Sequence, residues 1–280
     1  MRIIAAKKIT EVVSGLCEKA NFELRPDVLV SLRRALRSEK NKRARSMLEA
    51  IIKNAQVARR EKLAVCQDTG LPVVFLQIGQ ETMIKGDLKK AVNAGIAQGY
   101  KKGFLRNSIV ADPLSRKTPG YVPAVMHTEI VPGKKITVTV LPKGFGCENK
   151  SQLKMFVPTA SWDEIKEFII EAVKNAGPDA CPPYVVGVGI GGTADTACLL
   201  AKKALLKKVT SHRSPVTSRL KGLEVELLKE INRLGIGPMG LGGRTTALAV
   251  NILTFPTHIA GLPVSVNISC HATRSAAAVI

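Results

Sequence analysis

Apolar positions recur at helical spacing through the first sixty residues. Ile9, Val12, Val13, Leu16 and Ala20 share one face of a first helix. Pro26 stands where a first helical residue belongs and leads into Val28, Leu29, Leu32 and Leu36. A third helix is predicted from about Asn41 to Arg60, with Met47, Leu48, Ile51, Ile52 and Ala55 facing one way. After it the period shortens. Leu63 to Val65 and Val73 to Leu76 flank the polar stretch Cys66-Gln67-Asp68-Thr69-Gly70, which predicts strand, tight turn, strand. Residues 87–101 predict a further helix. Tyr121 to Ile130 and Lys135 to Leu141 then alternate as strands, and Pro132-Gly133 between them predicts a β-hairpin.

That pair delivers the chain to a polar, glycine-bearing loop from Gly144 to Ser151. Trp162 to Ala176 is amphipathic through Ile165, Phe168, Ile169 and Val173. Cys181-Pro182-Pro183 precedes a strand starting at Tyr184, and a helix is predicted from about Thr193 to Lys208. A long helix covers Val216 to Leu234, and the loop Gly237 to Arg244 follows it. Strand-like runs, Thr246 to Ile252 and Pro263 to Ile268, lead into Cys270-His271. These elements predict a mixed α/β (α+β) fold. A helical N-terminal region, residues 1–62, precedes a mixed-sheet body with glycine-rich loops, residues 63–280; the whole also reads as one continuous domain.

Composition adds limits. A hydrophobic content of 45% with 23% charged residues is that of a globular protein. No apolar run approaches the roughly 18 residues of a membrane span, and Ile3 to Ala6 is too short for a secretory signal, so a cytoplasmic protein is expected. The net charge of +20 favours anionic partners. Nucleic acid is one class, and a non-enzymatic basic binding protein is the rival to an enzyme. With 4% aromatic residues and no RNP-like, zinc-finger or GXXG signature, nucleic acid ranks below a small anionic substrate or an acidic partner subunit.

Gly187-x-Gly189-x-x-Gly192, between a strand and a helix, matches a dinucleotide fingerprint. The acid that should hold the ribose about 20 residues on is missing from Thr210-Ser211-His212-Arg213-Ser214. The following strand is missing too, since Val216 to Leu234 reads as helix. No nicotinamide cofactor is expected. The glycines either bring backbone N–H groups near an anion or serve packing.

Six cysteines, with no CxxC pair, disfavour zinc ribbons and thioredoxin chemistry. Cys17 and Cys198 fall in helices, where a buried structural thiol is expected. Cys66, Cys147, Cys181 and Cys270 fall in loops or at strand ends, and three or four such thiolates can converge on a metal cluster. The Cys66 turn also admits a plainer reading, an Asx turn in which Asp68 caps backbone N–H groups.

Five stretches taken together, in this order, carry a resemblance. They are Cys66 to Gly70, Lys143 to Lys150, Cys181 to Pro183, Gly187 to Thr193 and Gly237 to Thr245. Over essentially its whole length the chain resembles the α subunit of the two-chain, iron–sulfur (class I) fumarate hydratases and L(+)-tartrate dehydratases. The resemblance implies a [4Fe–4S] cluster held by Cys66, Cys181 and Cys270, with one iron left open, and no ligand role for Cys147. It places Gln67 and Asp68 against substrate, Asp68 with a catalytic part. It makes Arg106 the clamp on a substrate carboxylate, Gly144 and Gly146 backbone donors to the same anion, and His258 an acid–base or positioning group. The implied reaction is reversible hydration of a C4 dicarboxylate, fumarate to (S)-malate first and tartrate dehydration as the alternative. A separate β subunit completes the site, in an α2β2 assembly.

Overall fold

The computed structural model describes residues 1–209 and 218–280. In chain order the elements begin with β1 (Arg2–Ala5), α1 (Ala6–Phe22), α2 (Pro26–Ser38), α3 (Lys42–Glu61), β2 (Leu71–Gly79), β3 (Thr82–Lys85) and α4 (Leu88–Lys102). They continue with β4 (Ile109–Val110), β5 (Pro119–Gly120), β6 (Val125–Val131), β7 (Ile136–Lys143), α5 (Phe145–Glu148), β8 (Gln152–Phe156) and α6 (Trp162–Ala176). The last are β9 (Tyr184–Gly191), α7 (Ala194–Ala204), α8 (Arg219–Arg233), β10 (Ala247–Phe255), β11 (Leu262–Ser269) and β12 (Ala276–Val279). The class is mixed α+β, as the sequence predicts. The start of the long helix predicted from Val216, and the Thr210–Ser214 stretch weighed for an acid, lie outside the described residues. No helix among the described residues is long and apolar enough to cross a membrane.

The chain divides into two units. Unit 1 holds Met1–Arg25, Asn54–Phe145 and Arg274–Ile280, and unit 2 holds Pro26–Lys53 and Gly146–Thr273. The N-terminal helices are shared out: α1 belongs to unit 1, α2 to unit 2, and the division falls within α3.

Unit 1 is built on a four-stranded sheet ordered β12-β7-β2-β6. The predicted hairpin is not there, because β2 lies between its two arms, parallel to β6 and antiparallel to β7. The reason is burial. β2 is apolar without alternation, with Val73, Val74, Phe75 and Leu76 all buried, and such a run needs neighbours on both edges and cover on both faces. The turn around Gly133 wraps the end of β2, accepting the Glu81 N–H at 3.1 Å. The sheet packs against α1 and α4 through Val13, Leu16, Val74, Ile96, Val138 and Val140. The helices approach closely because α4 carries Gly99, where a Cβ would come within 2.5 Å of the Ser14 carbonyl. The strand predicted ahead of Cys66 is also absent. Residues 63–65 follow α3 as irregular chain, so the element order is helix, loop, strand.

Unit 2 has the sheet order β10-β9-β11-β8, with β9 parallel to β10 and antiparallel to β11. A strand does follow the glycine motif as parallel neighbour of β9, but it is β10, and α7 and α8 both precede it. Gly187 and Gly189 are packing residues. A Cβ on either would fall 2.1 Å from a carbonyl of α7, that of Ala201 or Ala197, so β9 and α7 meet backbone to backbone. α6 starts with a capping box, Ser161 and Glu164 each accepting the other's N–H.

Glu224 of α8 is 5% exposed and covers β10. It accepts the Ile252 N–H at 2.9 Å, Lys207 Nζ at 3.0 Å and Lys221 Nζ at 3.1 Å. Burial alone disfavours its charge, but the Ile252 N–H and the two ammonium groups outweigh it and hold the carboxyl below its ordinary 4.5. A depressed folded-state pKa contributes stability above 4.5, and that stability is lost as pH falls through the depressed value. Glu224→Gln is therefore expected to lower stability by about 2 kcal/mol at neutral pH and to flatten its fall on the acid side. Urea melts at a series of pH values check both.

Candidate functional site

In unit 1 three of the candidate residues, Cys66, Gln67 and Asp68, share one turn, which is fixed before it begins. Lys62, at φ 53°, turns the chain out of α3. Asn54 Nδ2 donates to the Val65 carbonyl at 2.8 Å, and the Val65 N–H donates to the Asn21 carbonyl at 2.9 Å. Cys66 follows, half-buried, its Sγ 3.4 Å from Gln67 Oε1. Gln67 is exposed. Asp68 is held at three atoms: Oδ1 accepts the Gly70 N–H at 2.9 Å, Oδ2 the Phe145 N–H at 2.8 Å, and its carbonyl accepts Arg274 Nη2 at 2.6 Å. The Asx turn is thus real, and it leaves the carboxylate in a fixed place. Gly70 has φ 74°, and a Cβ there would sit 2.7 Å from Pro142 C. A Cβ on Gly144 would stand 3.2 Å from Asp68 Oδ2, so the glycine keeps one side of the carboxylate open.

The turn has a buried support. Tyr100, 1% exposed, has its hydroxyl 2.9 Å from the Thr69 carbonyl and 3.1 Å from that of Gly70. Burial first, and then the Cys17 thiol, pushes its phenol well above the ordinary tyrosine range. Cys17 is buried as predicted, its thiol pushed up to about 12 by burial and then by Glu18. The Arg106 N–H donates to Thr69 Oγ1 at 3.0 Å, which ties the predicted clamp to this turn with its guanidinium exposed.

Arg274, 3% exposed, is a residue the sequence reading missed. It braces the Asp68 carbonyl and reaches Asn21 Oδ1 at 3.3 Å, and its buried Nε has no hydrogen-bond partner among the described residues. The available signal was an arginine four residues beyond Cys270, inside a run of small residues, Ala272 to Ala278.

In unit 2, Cys181 and Cys270 are brought together. The His271 N–H donates to the Cys181 carbonyl at 3.2 Å, and His271 Nδ1 lies 3.1 Å from the same oxygen. Cys181 is held at φ 56°, a conformation non-glycine residues seldom adopt and one that concentrates at functional sites. Tyr184 lies behind them, fully buried. Burial first, then the thiols of Cys147, Cys181 and Cys270, push its phenol above the ordinary range. Cys147 is 5% exposed in the core, its Sγ donating to the Ala180 carbonyl at 3.3 Å. Its neighbour Glu148 pairs with Lys202 and accepts Asn267 Nδ2 at 3.0 Å, which fixes α5 against α7 and β11. Gly146 lies in α5 with open space where a Cβ would point. His258 is exposed in the β10–β11 loop. Its Nδ1 accepts the Ala260 N–H at 3.1 Å, leaving Nε2–H as the outward donor. Thr257 Oγ1, 3.0 Å from the Gly192 carbonyl, ties this loop to the glycine motif.

Cys198 departs from expectation, for it is exposed. The buried face of α7 is Ala197, Ala201 and Ala204, and Cys198 lies one position off that stripe. All six cysteines stand outside disulfides. Cys66, Cys181 and Cys270 alone are half-buried at irregular backbone, and that donor set suits three thiolate ligands. Cys17 and Cys147 are enclosed. Among the described residues no three His, Cys, Asp or Glu side chains gather tightly enough to chelate a single ion.

Comparison with known proteins gives a consistent result. The family described as Fumarate hydratase (Fumerase) matches residues 10–279. A Methanocaldococcus jannaschii protein named provisionally as L(+)-tartrate dehydratase subunit alpha is 41% identical over 278 residues, covering 96% of each chain. The L(+)-tartrate dehydratase subunit alpha of Escherichia coli is 28% identical over 275 residues, covering 96% of this chain and 90% of its own. That of Shigella sonnei stands at the same values.

Proposed function

The chain belongs to the fumarate hydratase (Fumerase) family, and from that premise we propose that it is the α subunit of an iron–sulfur hydro-lyase acting on a C4 dicarboxylate. The observation that carries the reading is Asp68. Its carboxylate is fixed through both oxygens and its carbonyl, two residues from a half-buried thiol.

Cys66, Cys181 and Cys270 are the proposed ligands of a [4Fe–4S] cluster. With three thiolates such a cluster keeps an open iron that polarises hydroxyl and carboxylate oxygens. The chain's own residues do the rest. The Arg106 guanidinium offers a planar fork to a substrate carboxylate. Gln67 offers its exposed amide to the same substrate, and the glycines at 144 and 146 let the anion approach the backbone. Asp68 carries the proton exchanged at substrate carbon on one carboxylate oxygen, and two N–H groups keep that carboxylate from turning away. His258 offers Nε2–H, with Nδ1 already engaged, as a second proton-carrying or orienting group. Positioned acid–base groups of this kind contribute about 10²–10⁴-fold.

Two substrates compete within the class. The family's name favours fumarate and malate, whereas the relatives' names favour L(+)-tartrate, whose dehydration gives oxaloacetate. The alpha designation of those relatives supports a β subunit as partner, and we place the two in an α2β2 assembly. The α chain is expected to be inactive alone, because trans elimination needs groups on both faces of the substrate and these motifs supply one. Anaerobic reconstitution with and without the β subunit tests this, with fumarate formation from malate measured against oxaloacetate formation from tartrate. Full turnover by the isolated chain would refute the two-chain reading, and no turnover with either substrate in the reconstituted pair would refute the hydro-lyase reading.

A further inference from the structure

The stretch Gly237 to Thr245 has no part in the reaction as derived, yet it helps enclose a cavity of about 680 Å³ lying wholly within unit 2. Helix α2 forms one wall, α8 another, and the loop entering β10 the third. Cations come from all three: Arg34 and Arg37 from α2, Lys229 from α8 and Arg244 from the loop. All four are exposed.

No acid among the described residues pairs with them. Glu39 is spent on backbone, its Oε2 accepting the Arg244 N–H at 2.7 Å and its Oε1 accepting the N–H groups of Lys40 and Asn41 at 2.9 Å. On α8, Glu226 bonds Lys166 and Glu230 bonds Arg233. Residues 210–217, outside the description, contain no acid in sequence. The neutral polar lining also offers hydrogen. Asn232 Oδ1 already accepts the N–H groups of Thr246 and Ala247 at 2.7 and 2.9 Å, so its amide has only donors left to give. Thr245 adds a hydroxyl, whereas that of Ser38 is already donated to the Arg34 and Ala35 carbonyls at 3.3 and 3.1 Å. The floor, Ala35, Ala247 and Leu248, is apolar and suits a carbon frame.

We propose that this cavity binds a small organic bisphosphate. Four cations, offset in part by the buried Glu39 carboxylate, call for about three negative charges. Two phosphate monoesters at about −1.5 to −2 each supply them, where a dicarboxylate supplies only two. Three of the four cations are arginines, whose fork matches phosphate oxygens in pairs. The Glu39 bond to the Arg244 backbone fixes the root of one of those forks. The volume is that of an ordinary metabolite site, about 300–1,000 Å³.

Fructose 1,6-bisphosphate serves as probe, titrated calorimetrically into the full α chain and into the αβ complex, with inorganic phosphate as the single-anion comparator. Submillimolar binding is expected in both preparations, at least tenfold tighter than inorganic phosphate and weakening with added salt. The double variant Arg34→Gln, Arg244→Gln should weaken it at least tenfold, and Lys229→Gln alone by a smaller factor. Arg33→Gln, which removes the same charge from α2 outside the cavity, should leave it unchanged. Equal weakening by Arg33→Gln, or no discrimination against inorganic phosphate, would show general charge attraction and overturn the site. Binding to the α chain that disappears in the αβ complex would show the cavity to be a subunit contact, and would overturn it as well.

Discussion

Replacing Cys66, Cys181 or Cys270 by alanine is expected to leave the anaerobically prepared chain colourless, with iron falling from about four per chain to below about one. Cys147→Ala should keep its colour and iron. The contrast follows from where the thiols sit. Cys147 is enclosed in the core of unit 2 and its Sγ is engaged with the Ala180 carbonyl at 3.3 Å, whereas the other three are half-buried at irregular backbone. Hydro-lyase activity of the reconstituted pair should vanish with each of the three and survive with the fourth. Thermal melts taken in parallel separate cluster loss from unfolding. Cys147→Ala is expected to lose about 1–2 kcal/mol for a buried thiol and its hydrogen bond, which is a shift of melting temperature rather than a loss of colour. Equal loss of iron in Cys147→Ala would reassign the ligand set.

The second large effect is expected at Asp68. Asp68→Asn should reduce activity of the reconstituted enzyme by about 10²–10⁴-fold, the contribution of a positioned acid–base group. Asparagine keeps one acceptor oxygen, which can serve Gly70, but its amide NH2 then faces the Phe145 N–H donor that Asp68 Oδ2 now receives at 2.8 Å. One of the two caps is therefore lost, at about 1–2 kcal/mol. Asp68→Ala loses both and should melt lower still. If the turn alone mattered, activity across wild type, asparagine and alanine variants would fall in step with stability. If the carboxylate carries a proton, asparagine and alanine will be about equally inactive while their stabilities differ. Steady-state rates beside denaturant melts decide between the two.

Much of this was legible in sequence because the signals are local. α2 begins at Pro26 and α6 spans Trp162–Ala176, both where periodicity and capping residues set them. The Asx turn at Asp68 was likewise legible in residue type, and the carboxylate accepts the Gly70 N–H as such a turn requires. What failed was partnership. Alternation identifies β6 and β7 as strands but says nothing of who lies between them, and the uniform burial of β2 was the clue to its central place. The glycines at 187 and 189 look like an anion cradle until α7 is seen against them. Strands as short as β4 and β5, two residues each, give no period to detect. In the candidate site the links missed are those between residues far apart in sequence: Asp68 with Phe145, and Arg274 with both Asp68 and Asn21. Such pairings have no sequence signature of their own.

The allotment of Arg274–Ile280 to unit 1 sets an order in time. A nascent chain emerges N-terminus first, at about 5–20 residues per second, so roughly 6–26 s pass between the appearance of Phe145 and that of Arg274. Through that interval β7 lacks β12, and the turn carrying Cys66 lacks the guanidinium that will hold the Asp68 carbonyl. Unit 2 receives nearly all of its own residues meanwhile, Cys181 and Cys270 among them. The ribosome thus finishes the thiol pair of unit 2 before the last support of the Cys66 turn exists, and Cys66 is the cysteine whose surroundings mature last although it is made first of the three.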